Sequence, residues 1–183
     1  GQPVLEVERL TVDGDLKPEA CAGASLVVRS GEVLCVLAAS GNGLEELVEA
    51  IMGLRPPREG SIRVLGAPAP RLGPLWRFER GVGYIPPDQS GLILPLRCCA
   101  NLALKDFRRR PLAWFGLLLR RVMRRRGAEA MRRHRVEPAE PRLAALGLSG
   151  GNRRKLVLAR ELSRSPRLVV AAMPTRGLDI AAA

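Results

Sequence analysis

Apolar and polar side chains alternate along PVLEVERLTV, residues 3–12, which predicts a strand with one buried face. GASLVVRSGEVLCVLAA, residues 23–39, predicts two strands split by the turn Ser30-Gly31. The second of these, Val33 to Ala39, is almost wholly apolar, the pattern of a parallel-sheet strand covered on both faces. Leu47, Val48, Ile51 and Met52 then recur at helical spacing and predict a helix with one apolar stripe. LRPPREGSIRVLG predicts a Pro/Gly turn and a short strand, and RGVGYIPPDQSG another short strand ended by Pro86-Pro87.

From about Leu96 to Arg135 the pattern turns helical and basic. HRVEPAEPRLAAL is a proline-broken connection, and LSGGNRRKLVLARELSRSP a glycine-rich start to a helix that stops before Pro166. RLVVAAMP predicts a buried strand. Two strand-and-helix regions therefore flank an all-helical basic insert, with no internal repeat and no low-complexity linker.

Composition changes this picture in two places. The 183 residues suffice for one domain with a sizeable core, but aromatics are only 3%, so the core is aliphatic and base stacking has few rings to use. The net charge is +12, and the span from Lys105 to Arg135 holds twelve Lys/Arg against the two acids Asp106 and Glu129. Such a block suits an acidic partner, nucleic acid or an anionic membrane face, or else a solvated basic helix. Cys21, Cys35, Cys98 and Cys99 lack zinc-ligand spacing and His134 is the single histidine, so buried thiols and no metal site are expected. The longest apolar stretch, PLAWFGLLL, is too short to span a bilayer; a soluble protein without a signal peptide, able to dock at a membrane, is expected.

The candidate chemistry starts at SGNGLEELVEAIMG, Ser40 to Gly53. A phosphate-binding loop needs glycines that let backbone N–H groups converge, a helix beginning there, and a lysine with a hydroxyl residue for the terminal phosphates and magnesium. Ser40, Gly41, Asn42 and Gly43 supply the turn between an apolar strand and a helix. The template G-x-x-x-x-G-K-[ST] falls on Ala38 to Glu45, with Leu44 for the lysine and Glu45 for the hydroxyl residue. Glu45 and Glu46 favour the helix dipole but would repel a triphosphate. A tight strand-to-helix turn without a ligand is the competing reading of this loop alone.

The second half resolves the ambiguity. LSGGN (Leu148, Ser149, Gly150, Gly151, Asn152) precedes a helix, and an apolar strand and PTRGLD follow. In this order the segments resemble the phosphate loop, signature, Walker-B strand and D-loop of ABC-transporter ATPases. SGNGLEELVEAIMGLRPPREGSI, GVGYIP, LSGGNRRKLVLARELSRSPRL and PTRGLD look most like the second, degenerate cassette of bacterial monosaccharide and nucleoside importer subunits. The resemblance implies an α/β fold: a P-loop NTPase domain of ABC type with a mixed sheet core, N-terminal antiparallel strands and a helical subdomain. It places the first part of the ATP-binding core at 1–95, the helical subdomain at 96–147, and signature helix, Walker-B strand and D-loop at 148–183.

The departures from that pattern matter. Ala172 stands where a magnesium-binding aspartate is expected and Met173 where a catalytic glutamate is; Pro87 lies at the Q-loop position, and no aromatic near Leu10 to Gly14 offers an adenine platform. The resemblance implies ATP with magnesium, weak or absent at this chain's own loop. It also implies that Ser149, Gly150 and Gly151 reach a nucleotide held by another cassette, in the same chain or a homodimer. Gly177, Leu178 and Asp179 form the D-loop across that interface. Arg153 and Arg154 either strengthen nucleotide contact or are simply solvated, and solvation is the expectation. The other implied partners are membrane permease subunits on the helical subdomain and, indirectly, a solute-binding protein. The expected location is peripheral, on the cytoplasmic face of the inner membrane, with nucleic acid an unlikely partner. The alternatives are a degenerate nucleotide-sensing module and a nucleic-acid-associated ABC-type ATPase. A chain without initial methionine that ends at IAAA is expected to be part of a longer subunit.

Overall fold

The inward positions change parity within strand β1, Pro3–Val12: Leu5 and Val7 are buried, then Leu10 and Val12. Strict alternation cannot put all four on one face. One extra residue absorbed between Val7 and Leu10 does so, and the register against both neighbours shifts there, with Arg9 at φ 43°. The computed structural model describes residues 1–39, 41–88, 91–106, 112–114 and 117–173. The chain divides into two units, residues 1–83 with 167–170 and residues 84–166 with 171–183.

In the first unit, β1 lies between β2 (Cys21–Arg29) and β3 (Glu59–Val64), and β4 (Ala67–Pro68) extends the sheet in the order β2-β1-β3-β4, antiparallel throughout. Helix α1, Leu44–Met52, packs on β1 and β2 and buries Leu47, Ala50, Ile51 and Met52; of the predicted stripe, Val48 is only half-buried and Ala50 takes the inward place. It stops at Gly53, whose φ of 72° lets its own N–H and that of Leu54 bond back to Ala50 and Glu49 carbonyls. Helix α2, Pro74–Glu79, sends Arg77 beneath this C-terminus. Only 1% of Arg77 is exposed, and its guanidinium donates to the carbonyls of Ala50, Ile51, Pro70 and Gly73. A cation at the negative end of α1 also opposes the helix dipole favourably.

The expected strand Val33 to Ala39 does not form. Residues 32–39 adopt no regular structure, and Val33 and Leu37 are 94% and 90% exposed. An apolar run states that a segment suits burial; it does not state which backbone will supply its ladder. Strand β5, Val82–Ile85, does pair with β8, Leu168–Ala171. Arg167 N–H donates to Gly81 O and Ala172 N–H to Ile85 O, so the two strands run parallel.

The second unit is mainly helical. Helix α3 (Cys98–Ala103), the hairpin β6–β7 (Ala113–Trp114 and Leu117–Leu118), helix α4 (Arg120–Arg133) and helix α5 (Gly150–Leu162) follow in order. The hairpin interrupts a stretch whose pattern predicts helix throughout: the apolar run there is too short to give a helix its own stripe. Leu92, Cys98, Met131, Val136, Ala145, Leu148, Leu156 and Val157 form the core. Buried Asn101 pins the preceding loop through Ile93 N–H and the Ile93 and Leu96 carbonyls. Glu161, also buried, accepts from Lys105, Arg160 and the Tyr84 N–H. Cys98 and Cys99 are buried free thiols, as expected, whereas Cys35 is exposed.

Helix α4 buries Gly127 and Met131 and exposes Arg120, Arg121, Arg125, Arg126, Arg132 and Arg133. A Cβ on Gly127 would lie 2.8 Å from Cys99 Cβ and 3.1 Å from its Cα. Gly→Ala inside a helix ordinarily gains about 1 kcal/mol. Here overpacking reverses the sign, with an expected net loss of about 1 kcal/mol. A lowered urea midpoint for Gly127→Ala checks this; a raised one would mean that α3 and α4 part easily at that point.

Candidate functional site

Two helix N-termini carry the predicted chemistry, one in each unit, and they differ in charge. At α1, Gly41 and Gly43 hold φ values of 80° and 75°, and Gly43 is the N-cap. Asn42 N–H donates to Ala39 O and Leu47 N–H to Gly43 O, closing the turn into the helix. A Cβ on Gly43 would sit 2.1 Å from the Ala20 carbonyl oxygen, so the loop passes against backbone there. Leu44 is half-buried and Glu45 exposed in the first turn. Ser40 lies outside the described residues.

Around this loop the charges are mostly acidic. Glu46 approaches Gly14 and, with burial acting first, raises the pKa of the Cys21 thiol. The turn after β1 adds Asp13 and Asp15, which ion-pair with Arg58 and Arg55 respectively; Arg55 also holds Glu49 and is pushed further towards its charged form by these carboxylates. Sequence reasoning missed these arginines, which neutralise the turn and not the loop.

At α5 the arrangement is different. Ser149 is the N-cap with extended φ and ψ of −62° and 161°, and its Oγ accepts from Asn152 N–H at 3.4 Å and Asn152 Nδ2 at 3.0 Å. Asn152 Oδ1 in turn accepts from Glu137 N–H at 2.9 Å, which anchors the signature to the connection before it. Ser149 and Gly150 are exposed, and a Cβ on Gly151 would meet nothing within 4 Å. The first turn holds no acid. Its early N–H groups have no intrahelical acceptor and form the positive end of the helix dipole.

Of the two arginines after LSGGN, Arg154 is buried and not solvated as expected, whereas Arg153 is half-exposed. Arg153 donates from Nε to Ala145 O at 3.2 Å and from a terminal nitrogen to Leu146 O at 2.7 Å. Arg154 is 3% exposed and donates to the carbonyls of Pro86, Asp88, Ala172 and Met173. Burial lowers its pKa, and nearby Asp88 partly offsets this. The signal was present in the sequence: Arg154, Val157 and Glu161 share the i, i+3, i+7 spacing of a buried stripe.

Ala172 and Met173 follow β8 and bring no carboxylate. Among the described residues no cluster of three or more His, Cys, Asp or Glu could hold a metal, and no helix is long and apolar enough to cross a membrane. Gly177, Leu178 and Asp179 lie outside the described residues.

In sequence the chain is similar to the guanosine import ATP-binding protein NupO of Bacillus subtilis (strain 168), 34% identical over 100% of this chain and 36% of that protein. It is 35% identical to the nucleoside import ATP-binding protein NupA of Lactococcus lactis over 98% of this chain and 36% of that protein. The glucose import ATP-binding protein TsgD13 of Haloferax volcanii is 38% identical over 100% of this chain and 34% of its own length. The chain thus spans about a third of the length of these relatives. In fold it is similar to an ATP-binding cassette in a dimeric post-hydrolysis state bound to ADP and Pi, with a TM-score of 0.78 and 22% identity over 97% of this chain and 77% of that one. A dimeric bacterial ABC transporter cassette gives a TM-score of 0.80 at 23% identity, over 97% of this chain and 77% of that one. The family described as ABC transporter matches residues 21–176, and the chain belongs to it.

Proposed function

We propose that this chain is a cassette of an importer for nucleosides or simple sugars whose signature completes a nucleotide site held by a second cassette. The observation that carries the reading is the contrast between the two helix N-termini: α5 exposes Ser149 and Gly150 with no acid in its first turn, while α1 begins with Glu45 and Glu46. An anionic terminal phosphate is favoured at the first and repelled at the second.

The residues of this chain's own loop do not fit a magnesium-bound triphosphate. Leu44 offers no cation and Glu45 no hydroxyl, and Ala172 and Met173 supply no oxygen ligand from their side chains. A charge-assisted hydrogen bond contributes roughly 1.5–3 kcal/mol, so the missing lysine alone costs about ten- to a hundredfold in affinity. No hydrolytic step is assigned to that loop. In the other cassette's site, Ser149 Oγ and the Gly150 and Gly151 N–H groups bind and orient the terminal phosphate. Asp179 is assigned to the same interface.

In this reading, residues 1–95 and 148–183 belong to the ATP-binding core, and residues 96–147 form the helical subdomain that meets membrane permease subunits. A solute-binding protein acts indirectly, and the complex sits peripherally on the cytoplasmic face of the inner membrane. The nucleoside and glucose importers named above support the substrate class. Complementation tests the proposal. The chain alone is expected to show no single-turnover burst with ATP. A competent cassette of the same importer is expected to turn over only when this chain is added. A burst from the chain alone, or full turnover by the other cassette without it, contradicts the reading.

A further inference from the structure

The α5 helix is held near its start by three consecutive side chains, each reaching a different part of the second unit. Asn152 reaches Glu137, Arg153 reaches Ala145 and Leu146, and Arg154 reaches both Pro86–Asp88 and Ala172–Met173 just after β8. Arg154 is the unusual member. A buried guanidinium carries a large desolvation cost, and no carboxylate among the described residues bonds it directly; its terminal nitrogens face four main-chain oxygens. Nε has no acceptor among the described residues, a further cost that an apolar side chain would not carry. What the guanidinium provides that an apolar residue cannot is a rigid fork bonded to two separate chain segments at once.

We propose that Arg154 is a positioning residue for the signature loop, its guanidinium locking the first turns of α5 to Pro86–Asp88 and to Ala172–Met173 just after β8. Ser149 lies five residues earlier on the same helix start, so its direction is set by that lock. A displacement of residues 86–88 is thereby transmitted to the exposed face of the signature. This inference rests on the trans-site reading given above, and it concerns a residue that does not itself touch nucleotide.

The experiment compares Arg154→Met and Arg154→Lys in the full chain by hydrogen exchange, and in the two-cassette assembly by steady-state ATPase. Arg154→Met is expected to raise exchange of the amides of residues 150–153 and 86–88 together, by about tenfold or more, with α4 unchanged. In the assembly kcat is expected to fall by about tenfold, with the KM for ATP held within about threefold. Lysine keeps the charge but reaches one segment, and is expected to fall between arginine and methionine in both readouts. If Arg154→Met does not fold, the Lys variant carries the same comparison. Ser149→Phe in the same assembly separates the two ideas. If Ser149→Phe abolishes turnover while both Arg154 variants leave signature exchange and kcat unchanged, Arg154 only ties the loop at 86–88 and the inference is overturned. If Ser149→Phe leaves turnover intact, the trans-site reading itself fails.

Discussion

Phenylalanine in place of Ser149 is expected to abolish ATP turnover by a pair of cassettes that includes this chain, a fall of about a hundredfold or more. The hydroxyl is lost, and a ring is placed over the exposed start of α5, where the proposed trans site brings a phosphate to the Gly150 and Gly151 N–H groups. Folding is expected to survive. Ser149 is exposed, and the loss of its cap to Asn152 costs about 1 kcal/mol. Ser149→Ala removes the same cap without the ring, so it is expected to show a similar melting temperature and a much smaller loss of rate. A folded Ser149→Phe variant with undiminished turnover would remove the signature from the nucleotide site.

The largest effect on stability is expected at Gly43. Alanine there would bring Cβ to 2.1 Å from Ala20 O and 2.7 Å from Cys21 N, both main-chain atoms that cannot swing aside, at a φ of 75°. The left-handed backbone costs about 1–2 kcal/mol for a residue with a Cβ, and the overlap adds a comparable amount. A total of about 3 kcal/mol corresponds to a melting temperature lower by roughly 6–12 °C. Gly41 is the internal control: its φ is 80° but nothing lies within 4 Å of its Cβ direction, so Gly41→Ala is expected to show the backbone cost alone. Equal losses at the two positions, read by thermal melts, would mean that α1 shifts away from the turn before β2. Gly43 thus has a packing reason to be glycine, independent of whether its loop holds a phosphate.

That distinction shows what could be read in the sequence. Helices α1 and α5 were legible because each combines a glycine-rich start with an apolar stripe at helical spacing, two signals that agree. The strand 33–39 was not: its apolar residues are real, but a ladder needs a neighbour that composition does not name. The paired strands β6 and β7 were hidden in a basic, apolar stretch whose average reads as helix. The buried arginines were missed for a third reason. Arg77 and Arg154 each collect carbonyls from segments distant in sequence, and those oxygens come together only when the chain has folded. Period could still have placed Arg154 on the buried side of α5; residue type argued against it, and the period was the better guide.

The charge contrast between α1 and α5 carries the functional reading, and it makes a statement about where nucleotide is held. Vanadate trapping of a photoreactive ATP analogue in the two-cassette assembly, followed by mapping of the labelled peptides, tests it most directly. One trapped nucleotide per pair is expected, with label on the other cassette's phosphate loop and on this chain's residues around Ser149, and with trapping lost in Ser149→Phe. Label on residues 41–45 of this chain, or trapping that survives Ser149→Phe, would contradict the account.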